Sequence, residues 1–288
     1  MSKLKKKKIL VTGGSGFLAS HVADALSTGG HLVTIFDKRK SRFKGPKQKM
    51  IIGNILSQKI LDKVIKGKDI VFHFAATADL KESNDIPSKT IENNLIGTLK
   101  VLEACIKNKV DKIIFASSIY ALSEQGGFYS TSKLASEMLI EKYYEKYGLK
   151  YLILRFGTIY GTRANNFNTV QKYINEAKTE NKITRNTKGN EIRSYIHIAD
   201  VAKICKKLIS RKYKNTYYNI YGNKKIKAKD LIYLIKKILP NTKIIMKNEK
   251  RAYNYVKTPF TYNLRRGKKI NLKKYINLEN GIKKLIHT

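Results

Sequence analysis

Short β-branched runs alternate with longer segments of helical hydrophobic spacing along this chain, which is the sequence form of a parallel sheet wrapped by helices. The apolar runs predict strands at 8–12, 31–36, 50–52, 70–74, 112–116 and 151–155. The spacing predicts helices between them at 17–27, 91–107 and 129–147. The pattern therefore predicts an α/β fold with a parallel sheet.

Beyond about residue 161 the pattern loosens into shorter elements. Helices are predicted near 170–177, 199–209, 229–238 and 278–286, and short strands near 192–196 and 217–220. We therefore expect two parts. The first is a domain over residues 1–160, to which the chain later returns, and the second is a smaller lobe formed mainly by residues 161–288.

Composition favours a soluble globular protein. The chain has 288 residues, of which 42% are hydrophobic, enough for a substantial core. Cys105 and Cys205 fall within apolar helical patterns and have no metal-like spacing, which favours buried thiols in a reducing compartment. The lysine-rich start leads into an apolar run that ends at Gly13, and no segment approaches the length of a membrane span. We expect a cytoplasmic protein with no membrane insertion and no metal site.

The formal net charge of +38 raises nucleic acid as a partner. The lysines, however, are scattered through every predicted helix, with no arginine-rich stripe, zinc-finger spacing or aromatic RNA-binding signature. This distribution is typical of a solvated lysine surface and argues against nucleic-acid binding. Such a field still attracts anionic nucleotides and acidic surfaces.

A glycine-rich turn at residues 12–19 follows the first predicted strand and opens the first predicted helix. Gly13 allows a tight turn, and Gly16 lets the backbone approach a pyrophosphate, whose charge suits a helix N-terminus. Asp37 closes the second predicted strand, where a carboxylate can accept hydrogen bonds from both ribose hydroxyls and would repel a 2′-phosphate. The pattern favours NAD over NADP, although the two basic residues after Asp37 could tolerate the phosphate.

Tyr129 and Lys133 form a YxxxK string within the predicted helix at 129–147. Residues four apart lie on one face of a helix, so the Lys133 ammonium can sit beside the Tyr129 phenol and stabilise its phenolate. A phenol that titrates near neutrality can pass protons to and from a sugar hydroxyl. Downstream of a dinucleotide-binding turn, Tyr129 is therefore a candidate acid/base.

Ordered landmarks along the chain carry a family resemblance. They are Asp37 and the segments 12–19, 53–55, 73–76, 94–98, 117–118, 129–133, 154–161 and 193–202. With them the chain resembles the extended short-chain dehydrogenase/reductases, and among these the NAD-dependent nucleotide-sugar epimerase/dehydratase group, from near its start to near its C-terminus. The resemblance implies a Rossmann doubly wound parallel sheet with a smaller C-terminal substrate-binding lobe. It also implies a homodimer formed through the helices near 91–107 and 129–147.

The resemblance implies roles for individual residues as well. Tyr129 is the implied acid/base, and Lys133 is its pKa-lowering and ribose-binding partner. Ser118, or alternatively Ser117, is the implied hydroxyl that orients the reacting sugar oxygen. The implied cofactor-binding residues are Gly13, Ser15, Gly16, Phe17, Leu18, Asp37, Lys38, Asn54, Ile55, Phe74, Ala75, Ala76, Asn94, Tyr129, Lys133 and Phe156. The implied substrate-binding residues are Thr77, Ser118, Tyr129, Thr158, Asn166, Arg193 and Arg251. His73 and His197 are expected to be structural.

Two departures from the family pattern bear on the reaction. The segment between Ser118 and Tyr129 is shorter than in typical members, so loop residues that usually touch the sugar are missing. Nucleotide-sugar 4,6-dehydratases place an Asp-Glu pair just after the serine or threonine, whereas Ile119 and Tyr120 follow here. The Glu that decarboxylating relatives tend to carry in this region is also absent. Elimination therefore has no obvious proton carrier.

Hydride chemistry at a sugar carbon, most simply C4, is the expectation that remains. We expect an NAD-dependent nucleotide-sugar epimerase that works through a transient 4-keto sugar, in carbohydrate metabolism such as cell-surface polysaccharide biosynthesis. The alternative within the family is a nucleotide-sugar 4-ketoreductase that uses external NAD(P)H. An alternative of another class is a catalytically weak member that binds a nucleotide or RNA through its basic surface. The intact Ser118, Tyr129 and Lys133 argue against that alternative.

Overall fold

The structure of the protein, a computed structural model, describes residues 6–123, 125–248, 268–270, 272 and 274–287. Its strands are β1 (Lys8–Thr12), β2 (Leu32–Asp37), β3 (Gln48–Ile52), β4 (Ile70–His73), β5 (Lys112–Ser118), β6 (Lys150–Phe156), β7 (Thr158–Tyr160), β8 (Lys182–Arg185), β9 (Ile192–His197), β10 (Thr216–Ile220), β11 (Lys225–Lys227), β12 (Lys243–Met246) and β13 (Lys268–Lys269). Its α-helices are α1 (Phe17–Thr28), α2 (Gln58–Ile65), α3 (Leu80–Asp85), α4 (Pro87–Ile91), α5 (Gly97–Lys107), α6 (Gly127–Tyr147), α7 (Thr169–Glu180), α8 (Ile198–Lys207), α9 (Ala228–Ile238) and α10 (Leu278–Ile286). A π-helical turn (Glu92–Ile96) joins α4 to α5, and a 3-10 turn (Ile119–Leu122) follows β5.

A parallel sheet of eight strands, in the order β3-β2-β1-β4-β5-β6-β10-β13, forms the centre of the fold. Each neighbouring pair in this sheet runs parallel. The chain moves outward from β1 to β3 and then crosses back to β4 on the other side of β1. This reversal leaves a crevice at the carboxyl ends of β1 and β4, which is where ligands bind in doubly wound folds.

Helices cover both faces of the central sheet, which explains why its middle strands are buried and mainly apolar. Every residue of β4 and β5 is buried. Successive residues of a strand point to opposite faces. Accordingly, Val11 packs in a core with residues of α1 and α8, whereas Leu10 packs in a core with residues of α2, α5 and α6. The fold is a Rossmann-like α/β fold, as predicted.

The later part of the chain contributes to the central sheet and to a second layer. β10 pairs with β6 and β13 pairs with β10, so the chain does return to the central sheet. Separately, β11, β9 and β7 form a three-stranded sheet, and β12 and β8 form a two-stranded one. Residues of α7, α9 and α10 share a third core around Tyr173, Leu231 and Ile282.

The six strands predicted in the first 160 residues are all present, and their bounds shift by at most two residues. The predicted helix at 91–107 is wrong at its start, because helical structure begins at Pro87 and passes through the π-helical turn before α5. Short elements such as α2 and β7 were not predicted, because so few residues give too little periodicity to detect.

Membrane-spanning helices, metal ligands and cysteines were the subject of separate expectations. Among the helices that the structure describes, none has both the length and the apolar character needed to cross a bilayer. In the same residues, no three His, Cys, Asp or Glu side chains come together as a metal site. Cys105 and Cys205 are free and buried, and burial raises the pKa of each thiol.

Candidate active site

The glycine turn after β1 packs against the loop that follows β4. Gly13 has a φ of +71°, and a Cβ atom on it would lie 2.8 Å from the backbone nitrogen of Ala75. The left-handed backbone and the close approach together select glycine at this position. The Gly16 N–H donates to the Gly13 carbonyl oxygen at 2.8 Å and closes the turn just before α1.

The N-terminus of α1 faces this turn. Gly16 is the N-cap, and within the described part of the chain no side chain caps it by a hydrogen bond. Ser15, Phe17 and Leu18 surround the turn and are partly buried. Backbone N–H groups at an uncapped helix start, together with the helix dipole, favour an anion. The turn therefore fits the pyrophosphate of a dinucleotide.

The carboxylate of Asp37, at the end of β2, is held beside the glycine turn. Its Oδ2 accepts a hydrogen bond from the Ser15 N–H at 3.1 Å, and its Oδ1 accepts one from the Arg39 N–H at 3.0 Å. The Ser15 hydroxyl donates to the Arg39 carbonyl oxygen at 2.7 Å. Lys38 is exposed. Each carboxylate oxygen keeps a further lone pair, so Asp37 can still accept hydrogen bonds from ribose hydroxyls.

Asn54 and Ile55 follow β3 and differ in their surroundings. Asn54 is exposed, and its Oδ1 accepts a hydrogen bond from the Leu56 N–H at 3.0 Å. Ile55 is buried and lies against α5, where a Cβ atom on Gly97 would be 2.6 Å from its Cδ1. The structure thus leaves Asn54 on the surface and packs the Ile55 side chain into the core beside it.

An aromatic pair lines the loop after β4. Phe74 packs edge to face on Phe156, at the end of β6, with ring centroids 6.3 Å apart and an interplanar angle of 89°. Phe74, Ala75 and Ala76 are all partly buried. This loop therefore presents a largely apolar surface next to Gly13.

His73 belongs to a buried hydrogen-bond chain. Thr12 Oγ1 accepts hydrogen bonds from the N–H groups of Phe74 and Ala75 at 3.1 and 3.2 Å, so its own proton is directed to His73 Nδ1, 2.8 Å away. His73 Nε2 then carries the ring proton toward Thr98 Oγ1 at 3.0 Å. Burial lowers the pKa of His73 to about 3. The ring is neutral and has the structural role expected of it.

Tyr129 lies in the first turn of α6, beside the end of β5. Gly126 and Gly127 just before it have positive φ values of 103° and 54°, which turn the chain into the helix. Ser118 lies next to the Tyr129 phenol and acts to lower its pKa. Ser118 Oγ also accepts a hydrogen bond from the Tyr120 N–H at 3.2 Å. The hydroxyls of Ser118 and Tyr129 are therefore placed where they can take part in proton transfer.

The pKa values of Tyr129 and Lys133 differ from the sequence expectation. Burial raises the pKa of Tyr129 to about 12, despite the opposing effect of Ser118. Lys133 Nζ donates to the Ala116 carbonyl oxygen at 2.8 Å, and it lies 4.7 Å from the Phe115 ring centroid and 5.8 Å from that of Tyr129. Burial lowers the pKa of Lys133 to about 7. The two side chains share one face, but Lys133 does not bring the Tyr129 phenol near neutrality in the protein alone.

Asn94 connects the loop after β4 to α6. Its Oδ1 accepts a hydrogen bond from the Thr77 N–H at 2.7 Å, and its Nδ2 donates to the Thr77 carbonyl oxygen at 3.0 Å and to Ser132 Oγ at 2.9 Å. Both Asn94 and Thr77 are buried. Through these three hydrogen bonds Asn94 positions Thr77 and Ser132. Its contact with a cofactor stays a prediction.

Sequence reasoning missed a buried ion pair next to this site. Glu137 on α6 binds Arg155 on β6, and Ser117 Oγ donates to Glu137 Oε1 at 2.5 Å. Ser117 therefore binds Glu137, whereas Ser118 is the serine that lies next to Tyr129. The available signal was spacing, since Glu137 follows Lys133 by the same four residues that separate Lys133 from Tyr129.

The predicted substrate contacts in the later part of the chain lie on different elements. Thr158 on β7 and Arg193 on β9 belong to the same three-stranded sheet, and both are partly buried. Asn166 is exposed, and its Oδ1 accepts a hydrogen bond from Asn175 of α7 at 2.9 Å. Arg251 lies outside the described residues.

Comparison with known proteins agrees with this geometry. The sequence model of the NAD dependent epimerase/dehydratase family matches residues 9–221. A putative UDP-glucose 4-epimerase of Methanocaldococcus jannaschii is 27% identical over 300 residues and covers 97% of each chain. A UDP-N-acetyl-alpha-D-glucosaminuronate decarboxylase of Bacillus cytotoxicus is 32% identical over 228 residues, which are 69% of this chain and 70% of the relative. The crystal structure of a UDP-glucose 4-epimerase from Thermotoga maritima, with UDP-glucose, superposes with a TM-score of 0.85 at 25% identity and covers 97% of each chain.

Proposed function

The chain belongs to the NAD dependent epimerase/dehydratase family of enzymes, and we propose that it is a nucleotide-sugar epimerase that inverts one sugar carbon, most simply C4. The observation that carries this proposal is the placement of Ser118, at the end of β5, next to the Tyr129 phenol of α6, on whose pKa it acts. Ile119 and Tyr120, which follow Ser118, supply no carboxylic acid or base for eliminating water. Proton transfer at a single hydroxyl is the chemistry that remains.

NAD fits the crevice as its cofactor. Gly13 and the uncapped start of α1 suit the pyrophosphate, and the Asp37 carboxylate suits a ribose with two free hydroxyls. When bound, NAD would supply the hydride acceptor and donor for the sugar carbon. A 2′-phosphate would meet the charge of Asp37, so NADP is the weaker ligand.

The side chains of the site handle the proton. As the hydride leaves the sugar carbon, the hydroxyl on that carbon gives its proton to the Tyr129 oxygen, and Ser118 orients the hydroxyl. The Tyr129 phenolate is stabilised by the neighbouring Ser118 and by the Lys133 ammonium on the same helix face. Tyr129 returns the proton when the hydride comes back to the other face of the keto sugar. Protons and hydride therefore balance over one turnover, and no external reductant is consumed.

We assign the nucleotide sugar to the crevice between the two parts of the chain. In this proposal residues 1–160, with the returning strands, hold NAD, and residues 161–288 mainly hold the substrate. Thr77 and Ser118 border the sugar, and Thr158, Asn166, Arg193 and Arg251 contribute the remaining contacts. The positively charged surface favours arrival of such an anionic substrate.

A homodimer through α5 and α6 is part of the proposal. Leu134 and Met138, one turn apart on α6, are 41% and 57% exposed, and Ile96, in the π-helical turn that contacts α6, is 39% exposed. Large apolar side chains grouped on neighbouring helices mark an interaction surface. Met138→Glu should convert a dimer into monomers in size-exclusion chromatography with light scattering. A wild-type protein that runs as a monomer would remove the dimer from the proposal.

Cofactor retention separates the epimerase from a 4-ketoreductase. An epimerase regenerates NAD in each turnover, so stoichiometric NAD should survive gel filtration and be identified by mass spectrometry. Incubated with a panel of UDP- and GDP-hexoses and no added reductant, the protein should convert one of them to its C4 epimer. In heavy water no deuterium should appear at C4, because the hydride returns directly.

Other outcomes of this panel decide against the epimerase. Consumption of one NADH or NADPH for each 4-keto sugar, without interconversion of any hexose, would establish the reductase. Failure of both reactions, together with RNA binding of steep salt dependence, would establish the binding-protein alternative.

We place the reaction in the cytoplasm, because the two cysteines are free and buried.

A further inference from the structure

Three charged side chains are buried together behind Tyr129. Lys133 is 3% exposed, and Glu137 and Arg155 are each 1% exposed. Removing such groups from water costs several kcal/mol for each ion, and buried ion pairs often add no net stability over apolar residues. A role in stability alone is therefore a weak explanation for a triple cluster that touches the active-site helix.

Three hydrogen bonds from two residues hold the Glu137 carboxylate in place. Its Oε1 accepts hydrogen bonds from Ser117 Oγ at 2.5 Å and from Arg155 Nε at 2.8 Å, and its Oε2 accepts one from Arg155 Nη2 at 2.5 Å. The Arg155 guanidinium lies 4.3 Å from the ring centroid of Tyr217. Bidentate binding by arginine is specific for the ionised carboxylate. Glu137 thus carries a fixed negative charge in the interior.

Lys133 lies on the same face of α6, one turn before Glu137. Burial lowers the pKa of Lys133 to about 7, and the Glu137 charge opposes that effect. The Lys133 ammonium is therefore close to losing its proton at neutral pH, so the Glu137 charge decides how much of it remains protonated.

Other titratable groups near Lys133 cannot replace Glu137. His73 on β4 is neutral, because burial lowers its pKa to about 3. Tyr129 on α6 is a phenol, because burial raises its pKa to about 12. Arg155 on β6 is a cation and would favour loss of the proton from Lys133. Among these neighbours, Glu137 alone is an anion.

We propose that Glu137 is a positioning residue that keeps Lys133 in its ammonium form, and that Ser117 and Arg155 hold the Glu137 carboxylate for this task. The consequence for catalysis rests on the proposed function, since the ammonium is what stabilises the Tyr129 phenolate there. The charge relationship itself needs no substrate and can be tested in the protein alone.

The test is a titration of lysine side chains by NMR in protein labelled with ¹³C at lysine Cε. Most lysines titrate near pH 10.4, whereas one signal should titrate near the pKa of about 7 of Lys133 and disappear in Lys133→Met. Glu137→Gln should move its midpoint down by about one pH unit or more. Glu137→Asp, which keeps the negative charge, should bring the midpoint part of the way back toward that of the unaltered protein. The signal of Lys112, whose pKa burial lowers to about 8, is an internal control that should not move.

Glu145→Gln is the matched control, because it removes the same charge from an exposed position of α6. An unchanged midpoint in a folded Glu137→Gln protein, or an equal shift in Glu145→Gln, overturns the proposal. Where Glu137→Gln fails to fold, the double variant Glu137→Gln/Arg155→Met removes both ions and decides the matter. Its Lys133 midpoint should still lie below that of the unaltered protein.

Activity separates this inference from the proposed function. If the epimerase is established, the alkaline limb of its kcat/KM profile should move to lower pH in Glu137→Gln by the same shift as the NMR midpoint. An NMR shift without any hexose epimerisation in the unaltered protein would leave the charge relationship intact and refute the function instead.

Discussion

The Ser15 backbone N–H donates a hydrogen bond to Oδ2 of Asp37 across 3.1 Å, and this bond joins the glycine turn to the end of β2. It fixes the carboxylate beside the turn that we propose as the pyrophosphate site. Because Asp37 Oδ1 also accepts a hydrogen bond from the Arg39 N–H, the side chain cannot rotate away without losing two bonds. A negative charge is therefore built into the cofactor end of the crevice.

Asp37 should discriminate between the two dinucleotides. Titration of the protein freed of nucleotide should give tighter binding of NAD(H) than of NADP(H), since a 2′-phosphate meets the Asp37 charge. Asp37→Ala should reduce the ratio of NADP(H) to NAD(H) dissociation constants by about tenfold or more, a change of roughly 1.4 kcal/mol in relative binding free energy. Isothermal titration calorimetry measures both. Equal or stronger NADP(H) binding by the unaltered protein would show that Lys38 and Arg39 outweigh the carboxylate.

Tyr129→Phe should abolish turnover and leave NAD affinity within a few-fold. Only the phenolic proton carrier is deleted, and the loss of an acid/base costs about 10²–10⁴ in rate. Turnover is measured with the hexose that the panel identifies, and NAD affinity by calorimetry. Retention of most activity would remove Tyr129 from the mechanism.

Ser118→Ala should shift the pH profile of kcat/KM. Ser118 acts to lower the pKa of Tyr129, so the loss of its hydroxyl raises that pKa further. The limb that reports the formation of the phenolate should therefore move to higher pH, and the rate at neutral pH should fall. Ser117→Ala is the comparison, because Ser117 bonds to Glu137 rather than to Tyr129. Equal movement of this limb in both variants would contradict the role of Ser118.

The sequence was sufficient for features that a local pattern encodes. β4 and β5 are buried along their whole length, and each contains an apolar run, at 70–72 and 113–116, that the sequence shows directly. The turn at Gly13 and the carboxylate of Asp37 are local to strand ends, and the chain order of strands and helices specified the parallel sheet.

Features that depend on distant residues could not be predicted in this way. Asn94 meets Ser132 across 38 positions, and Lys112 meets Leu208 across 96. Spacing correctly predicted that Tyr129 and Lys133 lie on one face of α6. Burial raises the pKa of Tyr129, for which the sequence predicted a lower value, and it lowers the pKa of Lys133. No local sequence pattern measures burial.

Buried His73 should make the fold sensitive to acid. Burial lowers the pKa of His73 from 6.5 to about 3 in the folded protein. Between these two values the unfolded chain binds a proton that the folded chain does not, so the stabilisation present above pH 6.5 is lost as the pH falls toward 3. The loss is about 1.4 kcal/mol per pH unit for one such group.

Urea unfolding at several pH values from 7 to 4 measures this effect of His73. His73→Asn should be less stable at pH 7, because it breaks the hydrogen-bond chain with Thr12 and Thr98. Its free energy of unfolding should nevertheless fall less steeply with acid than that of the unaltered protein. Parallel curves for the two proteins would rule out His73 as a source of acid sensitivity.

Lys112 should be the most important single lysine for stability among those with described contacts. It is 2% exposed, and its Nζ lies within hydrogen-bond distance of the carbonyl oxygens of Leu208, Ile209, Ser210 and Tyr213, at 2.9, 3.2, 3.1 and 3.1 Å. These carbonyls follow the end of α8, where helix carbonyls have no partner within the helix. Lys112→Met keeps the length of the side chain but leaves the carbonyls unpaired, so it should lower the free energy of unfolding by about 2–4 kcal/mol. Lys150→Met, which removes only the partly exposed pair with Asp111, should cost about 1 kcal/mol or less. Equal losses for the two variants in urea unfolding would show that the four carbonyl contacts contribute nothing beyond an ordinary surface ion pair.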